Sequence, residues 1–512
     1  MPCKIQTLFP IIFLFAAPLL AVKPPEVISY DPEDPPQGLF ADEWMEVRLG
    51  GQKSGYSHMI LRREGDVIHS EVDTYMSIAR GAIGITVESL ETTKETVDGK
   101  PLAFSSKMVV SNQPVITSGE IADGKVSITT EGPGYTNTQT YPFPKGALMT
   151  WGLSRKGFIE GFKPGTEYDV LFYSPSLNAQ KAVPGTVKII GEEPFDYLGT
   201  KMKGIRGETI LRTGAADIVT TSWSDAEGRV LMTQMDMMGM PMTMIVVDEV
   251  TALKDFVPPE MFISSLISVD HRIPDDADSV VYRLKLQDGD IEKSLPPESD
   301  FQKVTYDAAE NAALVTVTRP NMKAVPDKIS SLSPSQKPAL KPNLIINSED
   351  SQILKLAAKA RKKADQKPLQ LAQDLRDFVY DFIDEKSLSV GFASASEVAN
   401  NPVGDCSEHA VLLAALGRAE GIPSRVAAGL LYLPSYEGQK NIMGYHMWTQ
   451  FYIGGEWLDF DAIDDAETAG PTRVALHYSY LEDESLASLG LELVDIIGQL
   501  KVEIVSIDGK SL

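Results

Sequence analysis

Cys406 stands in Gly404-Asp405-Cys406-Ser407-Glu408-His409, just ahead of the apolar run AVLLAALGRAEGIPSR. Asp405 can cap a helix and Glu408, three residues on, can return a hydrogen bond to the cap. That capping box sets Cys406 in the first turn of a helix ending near Gly421. Unpaired N–H groups and the helix dipole favour a thiolate there, so the spacing predicts a nucleophilic sulfur. Further along, Tyr445-His446-Met447-Trp448-Thr449-Gln450-Phe451-Tyr452-Ile453 runs into Gly454-Gly455 and returns as Glu456-Trp457-Leu458-Asp459-Phe460-Asp461. The pattern is a hairpin. With the two glycines as its turn, Ile453 faces Glu456 and Trp448 faces Asp461, which makes His446 and Asp461 diagonal neighbours on one face. A longer turn would reverse that parity. A thiol needs an adjacent base, and the base needs a third group to fix its tautomer. The chemistry within reach is attack of sulfur on an acyl carbon.

Other assignments of the same side chains stay open. His409 follows Cys406 by three positions on the same helix and could contact the thiol along its surface. Asp459 shares the parity of His446, one pair nearer the turn. Cys406, His409 and His446 could begin a zinc site, but no second cysteine or fourth ligand completes it. His58, His69, His271 and His477 have no such neighbours. Neither a metal nor a cofactor is expected.

The blocks GDCSEHA, GYHMWTQFYIGGEW and LDFDA resemble the three signature blocks of the transglutaminase-like superfamily, which is related in mechanism to papain-type cysteine peptidases. The resemblance runs from Glu349 to Ala466. It implies an α+β domain in which Cys406 is the nucleophile, His446 the general acid and base, and Asp461 the residue orienting the imidazole. It further implies acyl transfer or hydrolysis at carboxamide or peptide bonds through a thioester, on a protein or peptide substrate. Trp448 either packs the core or shapes the acyl-binding groove. Animal cross-linking enzymes carry tryptophan directly after the cysteine, where this chain has Ser407. No calcium loop is recognisable, and no tryptophan precedes Cys406 within the domain to offer an indole N–H to the oxyanion. The alternative is a catalytically inactive scaffold, or a carrier of apolar ligands or lipoproteins.

These residues must be positioned by a chain of 512 residues, too long for one ordinary core. Its hydrophobic share of 43% and charged share of 23% are those of a globular protein. The formal charge of −24 repels phosphate backbones and anionic lipid, so no nucleic-acid partner is expected. Lys4 precedes the uncharged run from Leu8 to Val22, too short to cross a bilayer but suited to a signal peptide cleaved near Ala17 or Ala21. Export to the periplasm or medium follows, with membrane attachment only if the segment is retained. Cys3 lies before that run, so processing leaves Cys406 alone and no intrachain disulfide is possible.

The divisions expected are 1–22 as signal peptide, 23–318 as a β-rich region, 319–347 as a linker, 348–480 as the transglutaminase-like domain and 481–512 as an extension. From Glu43 onward, short alternating segments such as WMEVRL, YDVLFYS and VVYRLKL are separated by Asp98-Gly99, Pro164-Gly165 and Pro184-Gly185, which predicts a large antiparallel sheet. The opening GGQKSGYSHMILRREGD, a strand pair around a small-residue turn, resembles the start of the curved-sheet domains preceding some bacterial exported transglutaminase-like domains, which in turn are similar to the β-clam of periplasmic lipoprotein carriers. Met240, Met242 and Met244 have the period-two spacing that lines one face of a strand. They fill a core, line an apolar groove or offer thioethers to copper(I). The proline-rich RPNMKAVPDKISSLSPSQKPALKPNL reads as a linker or an extended strap. Two helices follow, one capped by Ser348 and one from Leu369 to Ile383 with Leu371, Leu375, Val379 and Phe382 on one stripe.

Overall fold

The computed structural model describes residues 23–512 apart from 27–29, 81–82, 110–113, 214–216, 238, 262, 288, 388–389, 437, 464–468 and 483–495. Residues 1–22, expected to be a signal peptide, and Cys3 within them lie outside the described residues. No helix among the described residues is long and apolar enough to cross a membrane.

Alternation in the first half produces one fourteen-stranded antiparallel sheet. Its seam is the pairing of Gly38–Leu49 (β1) with Met240–Val247, with Val47 opposite Met244 and Leu49 opposite Met242. From the seam two arms of consecutive hairpins run outward to the edges at Tyr135–Pro142 and Glu167–Phe172. The strand Ile83–Thr96 (β2) shows how the faces divide. Ile85, Glu91, Thr93 and Glu95 are buried, whereas Glu88 and Lys94 between them are exposed. The helix Thr150–Glu160 (α1) joins the arms and packs on the inner face through Trp151, buried with Phe40, Leu61 and Ile68. Met240, Met242 and Met244 do share a face, in a cluster with Val47, Leu49, Met76 and Met261.

Glu95 anchors α1. Its carboxylate accepts the backbone N–H of Trp151 at 2.7 Å and of Gly152 at 2.9 Å, two of the donors a helix start leaves free. Burial still dominates and pushes the Glu95 carboxyl up to about 7 against these bonds. A carboxyl raised on folding stabilises fully below its unfolded value, near 4.5, and loses that contribution as pH rises through about 7. The sheet is therefore expected to lose roughly 3 kcal/mol of stability between pH 5 and 8. Denaturant unfolding followed by Trp151 fluorescence checks this, and Glu95→Gln should flatten the slope.

The second half has a different composition from the one expected. Strands at Ser279–Leu286 (β3) and Ala312–Thr318 do not join the large sheet. They pair with each other, and β3 pairs on its other side with the C-terminal strand Leu500–Ile507. The β-rich region thus does not run as one body to residue 318, and the segment after 480 is no appendage. Alternation states which face of a strand is buried and is silent about its partner. The stretch 319–347 is likewise no free linker, because Ala339, Leu344, Ile345 and Ile346 are buried in the core of this second body. The next helix, Ser351–Ala360, is capped by Asp350, whose side chain accepts from Gln352 N–H, while Ser348 is buried. The second helix spans Pro368–Phe382.

Cys406–Ala419 (α2) follows as a helix buried on every side from Ser407 to Arg418. It lies against a sheet of Ser424–Tyr436 (β4), Gln439–Ile453 (β5), Glu456–Phe460 (β6) and Arg473–Ser479 (β7). Across the sheet these lie in the order β6, β5, β4, β7. The two bodies meet where Asn347 Nδ2 donates to the Pro133 carbonyl at 3.1 Å.

Candidate active site

The start of α2 is built as the spacing requires. Ser407 N–H donates to Asp405 Oδ1 at 2.9 Å and Asp405 N–H donates to Glu408 Oε2, also at 2.9 Å. Glu408 is completely buried and takes the Ala393 N–H at 3.0 Å through its other oxygen. Gly404 makes room for this fold-back, since a Cβ there would lie 2.4 Å from the Glu408 side chain. Burial, then the neighbouring Asp405 carboxylate, raise Glu408 to about 8, so it is protonated at neutral pH.

Cys406 emerges half-buried from this turn. Burial pushes its thiol up, Asp405, Glu408 and Asp461 push the same way, and the Met447 backbone N–H pulls it down. Desolvation and acidic neighbours oppose the pull of the helix start on the thiol. The sulfur therefore needs a base. Met447, whose N–H is directed at the sulfur, is the residue after His446 on β5, so α2 delivers the thiol to the strand carrying the imidazole. Among the described residues no hydrogen bond joins thiol and imidazole directly.

The hairpin has the two-residue turn, with Gly454 at φ 71° and Gly455 at φ 101°, a region few other residues adopt. Ile453 faces Glu456 and Thr449 faces Phe460, which fixes the parity that makes His446 and Asp461 diagonal. His446 Nε2 lies 2.6 Å from Asp461 Oδ2. A carboxylate only accepts, so Nε2 carries the proton and Nδ1 is left with the lone pair. Asp461 Oδ2 also receives Arg473 Nε at 2.9 Å and Nη2 at 2.8 Å, and Oδ1 takes the Ile463 N–H at 3.1 Å. Burial alone would raise this carboxyl, but His446 and Arg473 hold it well below the usual carboxylate range.

The rival assignments find other partners. Asp459 accepts from Trp448 Nε1 and Gln450 Nε2, both at 2.7 Å, and does not meet His446. His409 Nδ1 bonds the Asp405 carbonyl at 2.6 Å, in the turn before it, rather than the thiol. No group of three metal-ligating His, Cys, Asp or Glu side chains occurs among the described residues. Trp448 does not line a groove. It is 1% exposed, enclosed by Ala427, Ala475 and Tyr478, with its ring 6.0 Å from that of His446 at an interplanar angle of 20°. A side chain sealed in this way touches no substrate, and Trp448 backs the imidazole instead. Arg473 is the residue that sequence reading missed. Its only signal was a cation opening the otherwise apolar strand RVALHYS.

Residues 355–462 match the model of the transglutaminase-like superfamily, a span running from the helix before Pro368 through Asp461. The second body carries a transglutaminase-like domain. Cys406, His446 and Asp461 all fall inside the match, whereas Arg473 lies beyond it. No curated protein matches the chain. Among solved structures, a candidate cysteine protease of Cytophaga hutchinsonii is 16% identical, with 46% of this chain and 91% of that one covered at a TM-score of 0.30. The periplasmic domain of TgpA from Pseudomonas aeruginosa, bound to ethylmercury, is 15% identical over 38% of this chain and 74% of its own, at 0.24. A candidate protease of Parabacteroides distasonis is 12% identical over 72% and 68%, at 0.20.

Proposed function

We propose that the transglutaminase-like domain is a cysteine acyl-transfer enzyme acting on proteins or peptides outside the cytoplasm. The observation that carries this reading is the bond from His446 Nε2 to Asp461 Oδ2, which leaves Nδ1 as the base on the strand that the thiol already touches. Nδ1 takes the Cys406 proton as sulfur adds to the carbonyl of a carboxamide or peptide bond. The same proton then goes to the departing nitrogen as the carbon–nitrogen bond breaks, leaving a thioester. Water or an amine, deprotonated by His446, attacks the thioester and frees the sulfur. The uncharged run from Leu8 to Val22 supports export.

Mass spectrometry of a peptide mixture incubated with the enzyme and a primary amine tests the reading. Ammonia loss with amine incorporation identifies transfer, and new peptide termini identify hydrolysis. Neither product appearing above the level of a Cys406→Ala control would dismiss the proposal.

A further inference from the structure

We infer that Arg473 is the positioning residue of the site: its guanidinium shares the one carboxylate oxygen that holds His446, and so sets how strongly Asp461 stabilises the imidazolium. The inference rests on the catalytic reading proposed above. An arginine and a carboxylate that serve only as a core ion pair commonly meet in a fork, one nitrogen on each oxygen. Here both guanidinium nitrogens converge on Oδ2, and Oδ1 is left to a backbone N–H. Oδ2 therefore accepts three N–H groups at 2.6–2.9 Å, one of them from the imidazole. An acceptor engaged by a cation polarises a third donor less.

The reach of Arg473 is built into the sheet. β4 separates β7 from β5, and its residue opposite His446 is Gly429. A Cβ there would lie 2.1 Å from the Val474 carbonyl oxygen and 3.0 Å from the Trp448 ring. Glycine thus keeps the face between β7 and the imidazole clear. The pair is closed to water, with side-chain exposures of 4% for Arg473, 3% for Asp461 and 6% for His446. Salt and solvent consequently screen it little. Among the described residues, charged or titratable groups around it include Cys406 and His409 on α2, on which Asp461 acts, and Asp459 on β6 and Tyr282 on β3, on which Arg473 acts.

The test uses the full chain and reads Cys406 alkylation by iodoacetamide against pH on the peptide containing Cys406, which separates it from Cys3. Arg473→Gln leaves the Asp461 charge, which acts on both the imidazole and the sulfur, without its cation. Imidazolium gains stability and thiolate loses it, so both limbs of the profile should move up by about one pH unit. Arg473→Lys, which keeps the charge, should return them. A profile that keeps its position in Arg473→Gln and changes only in height would overturn the inference. Should Arg473→Gln not fold, the Nε2–H proton resonance of His446 decides. In Arg473→Lys, Oδ2 keeps fewer donors and that resonance should move downfield; no movement is the negative result. A wild-type profile that His446→Ala leaves unaltered defeats the catalytic reading itself, whatever Arg473 does.

Discussion

Cys406→Ala is expected to lower turnover at least about 10⁴-fold, and His446→Ala nearly as much, with the double variant no worse than either. In the proposed mechanism the sulfur supplies the covalent route and the imidazole moves the proton in both halves of the reaction, so each is idle without the other. Stability should hardly change in Cys406→Ala, because the side chain is small and only half-buried. The thermal midpoint is expected to stay within about 2 °C of the parent. Stopped assays with any substrate found by the amine-incorporation screen measure the first quantity, and a thermal melt the second. Turnover surviving in Cys406→Ala would move the chemistry to another side chain.

Asp461→Asn should damage both folding and catalysis. The amide can accept a hydrogen bond but brings no charge, and Arg473 would stay buried with its counter-ion gone. Breaking a buried ion pair on one side costs about 3–5 kcal/mol. Turnover should fall by about 10⁴-fold, since the amide can donate to the imidazole and turn the protonated nitrogen to the wrong side. The pH dependence follows from the depressed carboxyl. A group held below its unfolded value contributes fully above that value, near 3.9, and loses the contribution as pH falls through the folded one. The gap between parent and variant should therefore be constant from neutral pH to about 4 and narrow only in stronger acid. Guanidinium unfolding at pH 7 and pH 3 measures it, and equal stabilities at pH 7 would show that Arg473 does not depend on this carboxylate.

What was legible in the sequence was what local geometry fixes. The capping box from Asp405 to Glu408 and the glycine pair at 454 and 455 each constrain only a few neighbouring residues, and both appear as spaced. His446 and Asp461 were brought together by counting along one hairpin. Arg473 was hidden because its place depends on β4 pairing with β7, and that ladder slips in register between Ala428 and Gly429. No count along the sequence anticipates such a slip. Packing of Trp448 in the core was one of the two readings of the sequence, but the cover that decides for it, Ala475 and Tyr478 on β7, was hidden for a related reason. The pull of the helix start on the thiol is visible in sequence, and the desolvation that opposes it is not. The division of the β-rich half failed at β3, where a correct strand was given the wrong neighbours.

That pairing of β3 with Leu500–Ile507 bears on biogenesis. The large sheet has all its strands once residue 247 has emerged, and it can settle while synthesis continues. The second body lacks one of its strands until residue 507 is made, although its first strand appeared far earlier. Vectorial production therefore ripens the fold from one end, and Cys406 reaches its finished surroundings among the last events.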